Sequence, residues 1–281
     1  MTLSRDDIRT AYEHACRLEI EALKPGNVHV FADGHRMTAE QFLASARASA
    51  GPLGDPGLTT GRRVLEAVQA TKSAVGTNTN LGIILLCAPL MRAAELPGGE
   101  YRDNLGAVLE GMDMADTKAI FEAIVLASPG GLGSAEAHDV REEPKGLILE
   151  AMGAAADRDS IARQYVTCFA DVFGIGLGAL DQALQRGETG MWPAVRAYLA
   201  FLGGLPDSHI ARKHGLDVAN KVTAEAGIVR AQLAVEEDET KRIGLLARFD
   251  RHLKSRQINP GTSADLTVAC LLVHLLRRQL A

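Results

Sequence analysis

With 281 residues and a formal charge of −5, the chain is too acidic overall for nucleic acid to be its main partner, and no stripe of Lys and Arg interleaved with aromatics offsets this. Nearly half of the residues are hydrophobic (47%) and only 4% aromatic. With Ala and Leu abundant, that balance favours close-packed helices over sheets.

Ser4 and Asp7 have the spacing of a helix start, and Ile8, Ala11, Tyr12, Ala15 and Leu18 recur behind them at helical spacing. Lys24-Pro25-Gly26 ends that helix, because proline and glycine continue it poorly. An irregular stretch follows to Met37. Thr38-Ala39-Glu40-Gln41 has capping-box spacing and opens a second helix through about Ala50. Gly51 to Gly61 reads as a loop, rich in proline and glycine, before a helix from about Arg62 to Ala74. The polar turn Gly76-Thr77-Asn78-Thr79-Asn80 then leads into an apolar helix from Leu81 to about Glu95. Pro89 predicts a kink there, since its ring removes the bond to the Leu85 carbonyl. Further helices are expected over Asn104–Met114, Thr117–Ala127, Pro144–Ala156, Asp159–Gln185, Pro193–Leu202, Pro206–Lys213, Leu216–Glu236, Asp238–Gln257 and Ala264–Gln279.

No segment alternates apolar and polar residues as a strand would, and no repeat or clear linker stands out. The expected architecture is all-α: one multi-helix globular bundle over residues 1–281, with polar interhelical turns forming the site. Cys16, Cys87, Cys168 and Cys270 lie in apolar helical stretches without a C-x-x-C pair, as expected for reduced thiols in a cytoplasmic protein. Met1 to Asp7 has no signal-peptide pattern. The longest apolar runs, Leu81–Met91 and Leu266–Leu276, fall short of the ~20 residues of a membrane span. Self-association is left open.

Several short segments could carry chemistry. A helix needs one capping side chain, yet Thr77, Asn78, Thr79 and Asn80 supply four before the apolar Leu81-Gly82 start. The turn is either an over-provided cap or a site at a helix N-terminus, where free N–H groups suit phosphate. Asn259-Pro260-Gly261-Thr262-Ser263-Ala264-Asp265 repeats the design: Ser263 could cap, and Asp265 could complement the helix dipole in the first turn or hold a metal ion. Glu19 and Glu21 face different sides of their helix, so at most one points at a site near Lys24. Taken alone, Lys24 reads as a solvated lysine at a helix end, though it could neutralise phosphate. His138 and Asp139, in a glycine-rich charged loop, could supply an acid–base pair or a metal ligand. Arg212 and Lys213 form either a phosphate clamp or a basic helix C-terminus. Gly174, Gly176 and Gly178 read as close-packing positions.

Taken in order, these motifs resemble the triphosphoribosyl-dephospho-CoA synthase family. The resemblance rests on Lys24-Pro25-Gly26-Asn27-Val28-His29, on Gly34-His35 with Met37 and Phe42-Leu43-Ala44-Ser45-Ala46, on Gly76-Thr77-Asn78-Thr79-Asn80-Leu81-Gly82, and on Asn259-Pro260-Gly261-Thr262-Ser263-Ala264-Asp265-Leu266. It implies a helical transferase that uses ATP with Mg2+ and dephospho-CoA: a ribose hydroxyl of dephospho-CoA displaces adenine from C1′ of the ATP ribose. The candidate catalytic residues are Glu19, Asn78 and Asn80, with His138 and Asp139 as candidates to replace the chemistry of a missing His and Lys. Lys24, Gly26, Thr77, Thr79, Gly82, Arg212, Lys213, Asn259, Gly261 and Ser263 would bind nucleotide and phosphate, and Asp139 and Asp265 would hold the metal. In the better-known members the central turn reads like Asn-Thr-His-Lys-Gly; here Asn80 and Leu81 stand at the His and Lys positions, and Arg36 and Thr38 stand where aspartates are expected. Those departures keep two other readings in view. One is an enzyme of the same fold acting on another phosphorylated coenzyme precursor, such as a methanopterin-type one-carbon carrier. The other is a ligand-binding homologue without catalysis.

Overall fold

The computed structural model describes residues 3–32, 37–128 and 139–280. Most of these are helical, and the described residues contain no strand; an isolated bridge joins His29 to Ala32. The all-α expectation therefore holds. The chain groups into two compact units: one is Met1–Cys16, Gln41–Ala170 and Leu272–Ala281, the other Arg17–Glu40 and Asp171–Leu271.

Helix α1 spans Arg5–Glu21. It opens on a capping box in which Asp7 N donates to Ser4 Oγ and Ser4 N to Asp7 Oδ2, both at 3.2 Å. In the first unit, α2 (Ala39–Leu53) runs past the expected end, carrying Pro52 in its last turn. α3 (Thr60–Val75) packs along α6 (Met114–Ala127), and Gly61 permits their close approach: a Cβ there would lie 2.4 Å from the Asp116 carbonyl oxygen. α4 (Leu81–Ala94) packs against α3 and against α5 (Tyr101–Glu110). α4 is apolar on every face and buried on nearly every face, as such a helix must be. It runs on through Pro89, and the Leu85 carbonyl that the proline leaves unpaired accepts a 2.7 Å hydrogen bond from the Tyr165 hydroxyl. α7 (Ile148–Ala155) starts later than expected, and α8 (Ser160–Val166) packs on it and on α4.

The expected single helix from Asp159 to Gln185 is a correction. It stops at Val166, where Cys168 (φ 48°) and Phe169 (φ 57°) take left-handed backbone conformations, and resumes through a π-helical turn at Val172–Gly176 into α9 (Leu177–Gln185). The break is held from afar: the Arg102 guanidinium donates to the Cys168 and Thr167 carbonyls at 3.2 and 3.4 Å.

In the second unit, α10 (Trp192–Leu202) packs on α9 and on α12 (Leu216–Val235). α12 also contacts α11 (Ser208–His214) and α13 (Glu239–Ser255). Gly176 serves close packing, since a Cβ there would sit 2.4 Å from the Phe201 ring. α14 (Gly261–Leu280) begins three residues before the expected Ala264, which moves Asp265 out of the first turn. No helix among the described residues is long and apolar enough to cross a membrane.

Candidate functional site

The second unit gathers a buried charged cluster around the turn that ends α1. Pro25-Gly26 reverses the chain, and Gly26 takes φ +84°, where a Cβ would meet Pro260 Cδ at 2.8 Å and Leu253 Cδ1 at 2.9 Å. Only glycine fits both the dihedral and the space. The reversal carries Lys24 fully inside, so the reading of a solvated lysine is overturned. Its ammonium contacts Glu19 Oε1 at 2.6 Å, Val28 O at 2.6 Å and Asn27 Oδ1 at 3.1 Å, which engages all three N–H bonds. Burial pushes the Glu19 carboxyl up and the Lys24 amine down, and the attraction between them opposes both shifts. Glu21 is exposed, so one acid of the two faces inward.

Neighbouring groups extend the cluster. Asn27 Nδ2 donates to Asn259 Oδ1 at 2.8 Å, which joins the Lys24–His29 segment directly to the Asn259–Asp265 segment. Tyr198 donates its hydroxyl to the Pro25 carbonyl at 2.7 Å. Asp250 accepts from Gly26 N at 2.8 Å and lies 3.1 Å from Lys254 Nζ and 3.5 Å from His29 Nε2. Burial alone would raise the Asp250 carboxyl, but hydrogen bonds from His29 and Gly26 and the Lys254 charge outweigh it and hold it below the usual range. His29 is pushed down, chiefly by burial, against the hydrogen bond to Asp250. Asp265, half-buried on α14, lies close enough to act on the Lys24 charge.

Asp207 links two helix starts. Its Oδ1 accepts from His209 N and Ile210 N of α11 at 2.9 and 3.1 Å, and its Oδ2 accepts from Ser263 N and Oγ of α14 at 2.7 and 2.8 Å. Ser263 is thus a donor inside α14 and not its cap. Asp265, in the fifth position, does not serve the first turn.

The central turn lies in the first unit. Of its four capping side chains only Asn78 caps, accepting from Leu81 N at 3.1 Å. Thr79 donates to Ser45 Oγ at 2.6 Å and Asn80 Nδ2 to Ser49 Oγ at 3.3 Å. Asn80, in the N-cap position of α4, makes no capping bond. The turn forms one wall of a cavity of about 380 Å³, whose lining includes Thr71, Lys72, Thr77, Asn78, Asn80 and Ser128.

Of the other predicted residues, Gly82 is the second residue of α4. Gly261 approaches His209 so closely that a Cβ would lie 3.2 Å from Nδ1. Arg212 and Lys213 are exposed in the last turn of α11. Asp139 accepts from Arg141 N at 3.0 Å in a local turn. His138 lies outside the described residues, as do Gly34, His35 and Arg36. Asp250, Lys254 and Asp207 escaped the sequence reading. The first two carry one signal, an acid–base pair four apart on α13, but such pairs are ordinary on exposed helix faces.

The chain matches the model of the ATP:dephospho-CoA triphosphoribosyl transferase family over residues 5–281. It is similar to a crystal structure from Archaeoglobus fulgidus, provisionally named a triphosphoribosyl-dephospho-CoA synthase. The identity is 25%, with 83% of this chain and 97% of that chain covered and a TM-score of 0.63. No curated protein matches. Because the family match runs through every segment that forms the charged cluster and the central turn, the chain belongs to the ATP:dephospho-CoA triphosphoribosyl transferase family, a family of transferases.

Proposed function

We propose that the chain joins the triphosphoribosyl part of ATP to dephospho-CoA with release of adenine. A ribose hydroxyl of dephospho-CoA forms the new bond to C1′ and loses its proton. The C1′–N9 bond breaks, and adenine leaves taking up a proton. Such a transfer passes through a transition state with oxocarbenium character, so the protein's task is to place the acceptor, protonate the leaving base and neutralise the triphosphate.

The observation that carries this reading is the joining of the Lys24–His29 and Asn259–Asp265 segments in one buried charged cluster through Asn27 and Asn259, 2.8 Å apart. A buried ion pair seldom stabilises a fold more than a well-packed apolar replacement. A chain under selection for stability alone gains little from Glu19, Lys24, Asp250 and Lys254 together. Lys24, with its N–H bonds engaged inside the turn, is a positioning residue: it fixes Asn27 and Val28. Glu19 acts through it. The exposed Arg212 and Lys213 are the cations offered to the triphosphate. Neither Asn80 nor Leu81 carries a titratable proton, so the proton for adenine is assigned to His138.

Among the described residues, no group of three or more His, Cys, Asp or Glu could hold a metal ion by itself. Magnesium that travels with nucleotide phosphates needs no such group, since it keeps several waters and takes one or two carboxylates. Asp265 is the carboxylate that would hold it, and the ion would supply neutralising charge.

The test is adenine release, followed by chromatography, from the full-length chain with ATP, dephospho-CoA and MgCl2. Adenine should appear in step with the coupled product and vanish when any one component is left out. If both nucleotides bind and no adenine is released, the proposal fails.

A further inference from the structure

Helix α12 is apolar on two opposite faces. Its inner face buries Ala219, Val222, Ala226, Val229 and Leu233. A helix with such an inner stripe normally turns charged and polar side chains outward, as α13 does with Lys241, Arg248 and Arg251. The outer face of α12 instead carries Ala224, Ile228, Ala231 and Val235, all exposed. Ile228 is 62% exposed and Val235 82%. Helical rotation sets these four within about 60° of one another. They form one continuous stripe, whereas apolar residues scattered singly over a surface need no explanation.

Charges bracket the stripe. Lys221 precedes it on the same side of the helix, and Glu237 follows it in the connection to α13. Both are exposed, and neither has a hydrogen-bond or ion-pair partner among the described residues. Read from its two ends, the stripe is complementary to itself. About a two-fold axis crossing between Val229 and Arg230, an antiparallel copy sets Ile228 across from Ala231, Ala224 across from Val235 and Lys221 across from Glu237. Each large side chain meets a small one, which suits the ~8–10 Å separation of packed helices. Each cation meets an anion, and the two-fold makes every contact twice. A parallel copy would set Lys221 against Lys221. A different protein would not require the stripe to match itself.

We propose that the outer face of α12 is the contact surface of a homodimer, formed by antiparallel pairing with the same helix of a second copy. One helix about 30 Å long covers less than the roughly 800 Å² per partner of a standard stable interface. The dimer is therefore reversible and forms at micromolar concentration. Lys221, Ile228 and Glu237 are not among the groups assigned to ATP or dephospho-CoA, so this surface stands or falls apart from the proposed reaction.

Sedimentation velocity of the full-length chain across the micromolar range tests the pairing. The expected result is a boundary that moves from monomer to dimer as concentration rises. Ile228→Glu sets a charge beside the two-fold and should weaken association about tenfold or more. Its unfolding temperature in dilute solution should equal that of the parent, since the replaced side chain is exposed. Lys221→Glu and Glu237→Lys should each weaken self-association about tenfold, because each opposes like charges twice in the dimer. An equimolar mixture of those two variants should associate nearly as tightly as the parent, each chain supplying the opposite charge that the other needs. The proposal is overturned if the parent stays monomeric throughout, which would leave the stripe to a different partner. It is equally overturned if Ile228→Glu dimerises like the parent, or if the mixture associates no better than either variant alone.

Discussion

An ammonium taken out of water costs several kcal/mol unless its charge and its three N–H bonds are all answered. Lys24 has both answers within its own turn: the Glu19 carboxylate for charge, and Asn27 and Val28 oxygens for the remaining bonds. Removing one partner of such a pair leaves the other buried and uncompensated. Lys24→Met should therefore lower stability by about 3–5 kcal/mol, read from urea unfolding. Adding Glu19→Gln should return most of that loss, because the stranded carboxylate is then gone. A double variant no more stable than Lys24→Met would mean that the turn depends on the ammonium's hydrogen bonds and not on charge pairing. Helical spacing alone indicated that only one of Glu19 and Glu21 could face this place, and Glu19 does. Spacing could not indicate that Lys24 is buried, because that follows from the chain reversing at Gly26 and from Pro260 and Leu253 closing over the turn.

Helices were legible wherever a local signal started or stopped them. The reciprocal Ser4–Asp7 bonds, the Asp238 cap on α13 and the glycine after α3 are such signals, made by residues within a few positions of the helix end. The break after Val166 was not legible, because Cys168 and Phe169 are neither glycine nor proline. Their left-handed backbone is stabilised by Arg102, more than sixty positions away. Pro89 is the converse case: its effect on the Leu85 carbonyl is written in the sequence, but the partner that repairs it, Tyr165, is not. This pairing can be tested as a cycle. Tyr165→Phe should cost about 1–3 kcal/mol, the usual penalty for stranding a buried acceptor. In a Pro89→Ala background, where residue 89 regains an N–H for that carbonyl, the same change should cost clearly less. Equal costs in both backgrounds would show that Tyr165 contributes by packing and not by replacing the helix bond.

Across the whole molecule, the family segments divide between the units. Phe42–Ala46 and Gly76–Gly82 lie in the first, and Lys24–His29 and Asn259–Leu266 in the second. Their order and spacing were enough to indicate the family, which the match over residues 5–281 shows. Their division of labour was not legible, since it depends on which side chains end up paired. Asn78 is used up in capping, while Asn80, two residues on, keeps an unpaired oxygen. The magnesium assignment belongs at this scale because ligand binding is read in the unfolding of the entire chain. A ligand bound only by the folded state stabilises it by about 2.7 kcal/mol at a hundredfold excess over Kd, on the order of 5–10 °C for a chain of this size. If Asp265 holds the ion that accompanies the triphosphate, ATP with MgCl2 should raise the unfolding temperature more than ATP with EDTA. Asp265→Asn should erase that difference while keeping the EDTA shift, because contacts to the nucleoside itself need no metal. A shift in the parent that ignores EDTA would remove magnesium from the reading. A magnesium-dependent shift that survives in Asp265→Asn would move the ion to another carboxylate.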